Sequence, residues 1–193
     1  HVRPFDAGRH RRYFAALSWT VMKELSLLLL ELLRNSLEAG AARVDIRVRE
    51  IGDSLTWRIA DDGRGMTRQE CKEALNPFFT KRTTRAVGLG LGLLDMWTRH
   101  CGGKVRMISR PGLGTMLCAS FGRRHPDLPP WGDLPGTLWT LAVTMPQIHF
   151  QYLHYRDGRQ WQWDSSTTTG LDMLTLKEVL ETGWNALKEE EQA

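Results

Sequence analysis

The chain has 193 residues, of which 41% are hydrophobic and 25% are charged, as is typical of a globular protein with one medium domain or one small domain and an appendage. The formal net charge of +4 suits anionic ligands such as nucleotides but is too small to indicate nucleic-acid binding. Cys71, Cys101 and Cys118 form no CxxC pair. Neither structural zinc nor a disulfide framework is therefore expected, and the expected location is a reducing cytoplasm.

No membrane segment is expected. The longest apolar stretch, Leu25 to Leu33, is interrupted by Ser26 and Glu31 and is far shorter than the ~20 residues of a membrane-spanning helix. The basic "RHRR" before "YFAALSW" does not make a secretory signal, because charged residues follow at once and no small-residue cleavage site is present. Residues 1–21 are treated as an N-terminal extension to which no role is assigned.

The first predicted elements are a helix and two strands. Leucines recur at helical spacing over residues 22–39, and Gly40 is suited to end that helix. The stretch "ARVDIRVRE" alternates apolar and charged residues, which predicts a half-buried strand. A second strand is predicted in "DSLTWRIADDG", after a turn at Gly52-Asp53.

The next elements complete an α/β pattern. A short helix is predicted from Thr67 to Leu75, with Thr67 as N-cap and Glu70 three residues later. "VGLGLGLLDMWTRHCGG" indicates a glycine-rich loop leading into a helix, and "KVRMIS" and "GTMLCASF" indicate two more strands. This order predicts a two-layer sandwich in which helices cover one face of a mixed β-sheet.

A change in composition follows Phe121. Residues 123–136 are rich in proline and indicate a linker, and residues 137–193 indicate a small α+β C-terminal region. In that region "TLWTLAVTM" predicts a helix, the alternating stretches around Asp157-Gly158 predict a hairpin, and residues 174–191 predict an amphipathic helix. The hairpin aromatics could form a partner surface, but packing against the last helix near Trp184 is favoured. These aromatics are Phe150, Tyr152, Tyr155, Trp161 and Trp163.

Four stretches carry candidate chemistry. In chain order they are Glu31-x-x-x-Asn35, "DDGRGM" at 61–66, "PFFTKRTTRAVGLGLGL" at 77–93 and "PGLGT" at 111–115. Together they resemble the nucleotide-binding boxes of the GHKL superfamily of ATPases, over residues 22–122. Each box alone is a weak signal, but four in this order, each on the expected element, are a strong one. The resemblance implies the Bergerat ATP-binding fold for residues 22–122, with ATP and Mg²⁺ as cofactors.

The resemblance gives the first box a catalytic role. An Asn side-chain oxygen is a suitable ligand for Mg²⁺, and the family pattern assigns this role to Asn35. It assigns Glu31, one turn earlier, to a water near the γ-phosphate, which the carboxylate orients or deprotonates. The alternative from the residues alone is a partly exposed Glu31 and an Asn35 that bonds locally.

The second and fourth boxes resemble the adenine site. In the family, the aspartate at the position of Asp61 accepts a hydrogen bond from the adenine amino group, which excludes guanine. Gly63 and Gly65 let the backbone lie close to the base, and Met66 is a candidate apolar wall. Thr115 matches the threonine that bonds adenine or its bound water. The alternatives are a plain turn at "DDG" and a structural strand threonine.

The third box resembles a phosphate site. Gly88, Gly90 and Gly92 are expected to present backbone N–H groups at a helix N-terminus, which favours anions. Lys81 and Arg82 are expected to neutralise phosphate charge. The alternative is a glycine-rich turn with a solvated basic face.

The boxes do not agree on one branch of the superfamily. Glu31 and "RNSLEAGA" resemble the MutL side, where the glutamate activates hydrolytic water, whereas "PFFTK" and "GLGLGL" resemble sensor histidine kinases. No phosphoacceptor segment is evident around His10. The whole chain also resembles stand-alone bacterial ATP-binding proteins, some of which are encoded beside iron-only hydrogenase subunits.

Three functions remain open at this point. The first is a slow Mg-ATP hydrolase whose nucleotide state controls partner binding. The second is a protein kinase that acts in trans on a Ser or His of a partner, and the third is a nucleotide-binding scaffold without turnover. Besides ATP, the partners left open are an unidentified protein, which could be related to hydrogenases, and a second copy of the chain. Nucleic acid and membrane are not expected as partners.

Overall fold

A computed structural model describes residues 23–75 and 89–189. The predictions for residues 1–22, 76–88 and 190–193 lie outside these ranges, and they include the start of the first helix, "PFFTK" and the end of the last helix. None of the described helices is long and apolar enough to span a bilayer. The elements, in chain order, are α1 (Leu25–Glu38), β1 (Arg43–Ile51), β2 (Ser54–Asp61), α2 (Arg68–Ala74), α3 (Leu89–His100), β3 (Lys104–Ser109), β4 (Thr115–Gly122), α4 (Leu134–Thr144), β5 (His149–Arg156), β6 (Arg159–Asp164), a 3₁₀ turn (Ser165–Thr168) and α5 (Met173–Lys188).

The six strands form one sheet with the order β3-β4-β2-β1-β5-β6. β1 pairs with β2 in antiparallel and with β5 in parallel orientation, so the sheet is mixed. The buried leucines of α1, Leu94 and Trp97 of α3 and Leu138 of α4 belong to the core that covers one face. This confirms the predicted two-layer α/β sandwich.

Alternation in the strands determines which face is buried. In β1, Val44, Ile46 and Val48 are at most 1% exposed, whereas the residues between them point to the other face and are exposed or half-exposed. Ile46 lies opposite Ile59 of β2, so both strands bury the same face. The predicted short helix is confirmed by its capping box, in which Thr67 and Glu70 bond each other's backbone N–H groups.

Part of the proline-rich stretch 123–136 packs against the core, since Leu128 and Trp131 are partly buried on it. Backbone N–H groups of Leu25 and Ser26 donate to the carbonyl oxygens of Pro130 and Trp131. α4 begins at Leu134, within the predicted linker, because Asp133 caps it and Pro135 suits the first turn of a helix. Proline content alone did not distinguish a packed connection from a flexible one.

The C-terminal hairpin extends the same sheet. β5 and β6 pair around Asp157-Gly158 as predicted. Within the hairpin, the rings of His154 and Trp161 pack against Trp184. This cluster is continuous with the main core, because Trp131 lies 5.7 Å from Trp57 and 5.9 Å from Trp184 between ring centroids. Tyr155 does not point toward this cluster, since it lies in β5 on the face opposite Tyr152.

A buried carboxylate lies where the C-terminal hairpin joins the rest of the sheet. Glu50, at the end of β1, is 3% exposed, and its Oε1 accepts hydrogen bonds from Trp131 Nε1 at 2.9 Å and His154 Nε2 at 2.8 Å. Its Oε2 lies 2.9 Å from Nε of Arg123. Burial would raise the pKa of Glu50, but the hydrogen bond from His154 and the positive charges of Arg156 and Arg123 outweigh it, so this pKa lies below its ordinary value.

His154 is held as the neutral imidazole. Burial lowers the pKa of His154, and it outweighs the attraction of Glu50, so this pKa lies below the ordinary value of 6.5. With Glu50 ionised, Nε2–H of His154 donates to the carboxylate, and Nδ1 accepts from the Tyr152 hydroxyl at 2.9 Å.

Acid is expected to destabilise the protein through this cluster. Because the pKa of His154 is lower in the folded than in the unfolded state, its stabilising contribution is complete above 6.5 and is lost as the pH falls below that value. The contribution of Glu50 is lost in the same direction below 4.5. The free energy of unfolding, measured in denaturant from pH 8 to 5, should fall by up to ~1.4 kcal/mol per pH unit through His154.

The matched variant is His154→Gln, whose amide can still donate to Glu50. It should be less stable than the wild type at neutral pH but should lack most of the slope below pH 6.5. An unchanged slope in this variant would assign the acid sensitivity to other groups.

Candidate functional site

Glu31 and Asn35 lie one turn apart on α1 and are both half-buried. Glu31 Oε1 lies 3.4 Å from Arg34 Nη1, and its side chain is 36% exposed. Within residues 23–75 and 89–189, no partner hydrogen-bonds to the side-chain amide of Asn35. Among the described residues, the local bonding considered for Asn35 from its sequence is therefore not found.

The N-terminus of α3 lies against these two residues. A methyl group at Gly90 would lie 3.4 Å from Cβ of Glu31 and 3.7 Å from Nδ2 of Asn35. Gly90 and Gly92 are part of the first turn of α3 and not of a loop before it, which corrects the sequence prediction. Both are buried. The N–H group of Gly90 belongs to those at a helix start that have no partner within the helix, so this end stays suited to an anion.

The two adjacent aspartates after β2 have different surroundings. Asp61 Oδ2 accepts a hydrogen bond from Ser36 Oγ at 3.1 Å, and its Oδ1 accepts one from the Gly63 N–H at 3.0 Å. Asp62 Oδ1 accepts from the N–H groups of Ala42 and Arg43 at 2.8 and 2.9 Å. Asp61 is thus held toward α1, whereas Asp62 caps the start of β1.

The glycines of the second box allow close approach of backbones. A methyl group at Gly63 would lie 2.9 Å from Cβ of Ala39, and Gly65 has a positive φ of 66°. A side-chain carbon at Gly65 would also overlap the carbonyl oxygen of Arg110, in the turn between β3 and β4. Only glycine combines this backbone conformation with this contact. The second box is therefore packed between the end of α1 and that turn.

Thr115 lies next to Asp61 in the sheet. The two residues are paired across β2 and β4. Thr115 Oγ1 lies 2.9 Å from Ser109 Oγ, which donates to the Gly114 carbonyl at 2.9 Å and accepts from the Met66 N–H at 2.8 Å. Ser109 therefore connects the second box with the fourth.

The predicted residues form two groups joined by α1. One group is Glu31, Asn35 and Gly90, with Gly92 two residues further along α3, and the other is Asp61, Gly63, Gly65, Met66 and Thr115. Lys81, Arg82 and Gly88 lie outside the described residues. Sequence reasoning missed Ser36 and Ser109. Ser36 could have been noticed as a polar residue on the leucine-rich side of α1, directly after Asn35, but Ser109 carries no comparable signal.

The fold and this geometry define the class of protein. An α/β sandwich carries a polar pair on its first helix, a second helix whose N-terminus meets that pair, and an aspartate at the end of a central strand. Such an arrangement is chemically suited to a nucleotide, because helix N–H groups favour phosphate and an aspartate can accept a hydrogen bond from a base.

Comparison with known proteins gives the family. A family model described as histidine kinase-, DNA gyrase B-, and HSP90-like ATPase matches residues 20–124, and the chain belongs to this family. It is therefore a GHKL ATPase superfamily member, and the assignment supports ATP binding. Among solved structures, the N-terminal domain of a DNA repair protein has a similar fold, with a TM-score of 0.55 and 16% identity over 75% of this chain and 53% of that one.

Two curated relatives match different lengths of the chain. The sensor histidine kinase RcsC of Salmonella typhimurium (strain LT2) is 27% identical over 151 residues, which cover 72% of this chain and 16% of that protein. The DNA mismatch repair protein MutL of Halobacterium salinarum is 45% identical over 65 residues, which cover 33% of this chain and 10% of that protein. The chain thus spans less than a fifth of the length of either relative.

Substitution of the two aspartates separates recognition from folding. Asp61→Ala should weaken ATP binding by at least ~100-fold, because it removes the carboxylate expected to accept a hydrogen bond from the adenine amino group. Asp62→Ala is the matched control. It should lower the free energy of unfolding by about 1 kcal/mol, since two backbone N–H groups lose their acceptor, while ATP affinity stays within a few-fold of wild type. Calorimetric titration with ATP and thermal unfolding measure both effects. Normal ATP binding by Asp61→Ala would rule out this adenine site.

Proposed function

We propose that the chain is a Mg-ATP-dependent ATPase whose nucleotide state controls the binding of a partner protein. The observation that carries the proposal is the position of Glu31 and Asn35 under the N-terminus of α3. A half-exposed carboxylate and an amide lie there beside the first turn of α3, whose N–H groups favour phosphate.

Asp61 would recognise the adenine end of the nucleotide. Its carboxylate is oriented by two hydrogen bonds and can accept from an exocyclic amine. Thr115, paired with Asp61 across the strands, would bond the base or its water. Gly63 and Gly65 would allow the base to approach the backbone, and Met66 would form an apolar wall.

The phosphates would lie toward α3. The N–H group of Gly90 favours negative charge, and Gly92, Gly88, Lys81 and Arg82 are proposed to complete this side. Among the described residues, no group of three or more His, Cys, Asp or Glu side chains could hold a metal ion. Asn35 nevertheless fits Mg²⁺, because this ion prefers oxygen ligands and is commonly held by few protein groups together with phosphates and water. When bound there, Mg²⁺ would neutralise phosphate charge.

Glu31 would be the general base. Its carboxylate would accept a proton from a water molecule while the water oxygen attacks the γ-phosphorus. The bond between the γ-phosphorus and the β,γ-bridging oxygen breaks, and ADP and inorganic phosphate are the products. Half-exposure of Glu31 is compatible with access of water.

Loss of the γ-phosphate would change the surface that the protein presents. Groups that bind this phosphate in the ATP state lose their ligand after hydrolysis, and such a difference can control partner binding. The partner would be another protein, and a hydrogenase-related protein and a second copy of the chain are the candidates suggested by sequence.

A protein kinase acting in trans is the second candidate function. The observation that favours it is the 27% identity with a sensor histidine kinase over 72% of this chain. In that case the γ-phosphoryl group would pass to a Ser or His of a partner. A scaffold that binds ATP without turnover is the third candidate.

The fate of the γ-phosphate distinguishes these functions. Purified protein is incubated with Mg²⁺ and γ-labelled ATP, and free phosphate, protein-bound label and intact ATP are separated. Free phosphate should accumulate, and Glu31→Ala should reduce its release by at least ~100-fold with ATP affinity within a few-fold of wild type, because general-base catalysis contributes 10²–10⁴-fold.

The control is Glu38→Ala, which removes an exposed carboxylate from the same helix. Its turnover should stay within about twofold of wild type, since surface substitutions away from a site have small effects. Equal turnover of Glu31→Ala and wild type would refute the catalytic role. Intact bound ATP in the wild type would favour the kinase or the scaffold.

A further inference from the structure

Five cationic side chains lie together on the face of the sheet that the helices leave open. They are Arg47 and Arg49 of β1, Arg58 of β2, and Lys104 and Arg106 of β3, and they are named here the basic face. All five are exposed. Their alternation with the buried residues of the same strands places them opposite the helices.

Strand register brings these cations side by side. Arg47 lies opposite Arg58, which is separated from Arg106 by Cys118 of β4. In the next row, Arg49 is followed by Thr56, Ser120 and Lys104. The three short side chains between the cations form the floor of a shallow depression of about 460 Å³.

Charge on this face is not balanced. Asp45 lies 3.0 Å from Arg47 and 3.4 Å from Arg58 and is the carboxylate that partners them. In the part of the chain that the structure describes, no acidic side chain forms an ion pair with Arg49, Lys104 or Arg106. Five cations and one carboxylate leave an excess of four positive charges, which equals the formal net charge of +4 of the whole chain.

Folding does not explain this arrangement. Asp45 lies between the opposed Arg47 and Arg58 and compensates their repulsion. Among the described residues, Arg49, Lys104 and Arg106 have no such carboxylate. Polar uncharged side chains would serve an exposed face equally well, so three cations without an acidic neighbour point to an anionic partner.

We propose that the basic face is a docking surface for an acidic segment of a partner protein. β1 and β3 are three interstrand spacings apart, about 14 Å, so carboxylates on one segment can reach the cations at both edges and Arg58 between them. Thr56, Cys118 and Ser120 offer no ring on which a base could stack, which disfavours single-stranded nucleic acid. Acidic side chains on such a segment would pair with the cations at the two edges.

This surface does not coincide with the candidate nucleotide site. Arg58 and Asp61 are three positions apart in β2, so their side chains point to opposite faces. Partner and nucleotide can therefore be bound at the same time. The inference rests on the charge pattern and not on ATP turnover, so it and the proposed function can fail separately.

The experiment measures binding of fluorescein-labelled poly-L-glutamate by fluorescence anisotropy at low and at moderate salt. The variant R49E/K104E/R106E breaks no described ion pair and should lose at least about tenfold in affinity. The matched control K23E/R124E/K177E has the same change of net charge, but these residues lie away from the basic face, so its affinity should stay within about twofold of wild type. Both variants should bind ATP as the wild type does.

A second measurement locates the bound peptide on the wild-type face. In a Cys71→Ser background, poly-L-glutamate should slow alkylation of Cys118, which lies between Arg58 and Arg106, and ADP should not. Equal loss of affinity in the two triple variants, or unchanged alkylation of Cys118, would overturn the proposal. Oligodeoxythymidylate binding as tightly through Arg49, Lys104 and Arg106 would also overturn it and would assign the face to nucleic acid.

Discussion

Packing of α1 against the sheet is the constraint on which the candidate site depends. Leu29 and Leu33 are fully buried, and this fixes the rotation of the helix. In that rotation Ser36 reaches Asp61 at the end of β2, while Glu31 and Asn35 lie against Gly90 of α3. One apolar stripe thus sets the distance between the residues proposed for the base and those proposed for the phosphates.

The two faces of the sheet differ in what their side chains do. The helical face supplies the core and the candidate nucleotide site at the ends of β2 and β4. The open face supplies no core, and its side chains are free to carry charge. Because the same strands contribute to both faces, a substitution such as one at Arg58 can change surface charge without altering the residues proposed to contact the nucleotide.

Local patterns predicted local structure well. Alternation in β1 and β2, the capping box at Thr67 and the turn at Asp157-Gly158 each depend on a few neighbouring residues, and the structure agrees with them. The boxes predicted which site residues lie together, although their roles stay predictions. Partners distant in sequence were not predictable. Glu50, His154 and Trp131 carry no local signal for their contact.

The parallel pairing of β1 with β5 has a consequence for how the chain is made. Arg43 pairs with His149, about a hundred residues later, so this contact closes a long loop and forms slowly. During synthesis β1 has a free edge until the hairpin emerges, and exposed edges can pair with other chains. The nine residues of β1 are a long edge of this kind. Once it is synthesised, the C-terminal hairpin covers the free edge of β1 and thereby prevents strand pairing between molecules.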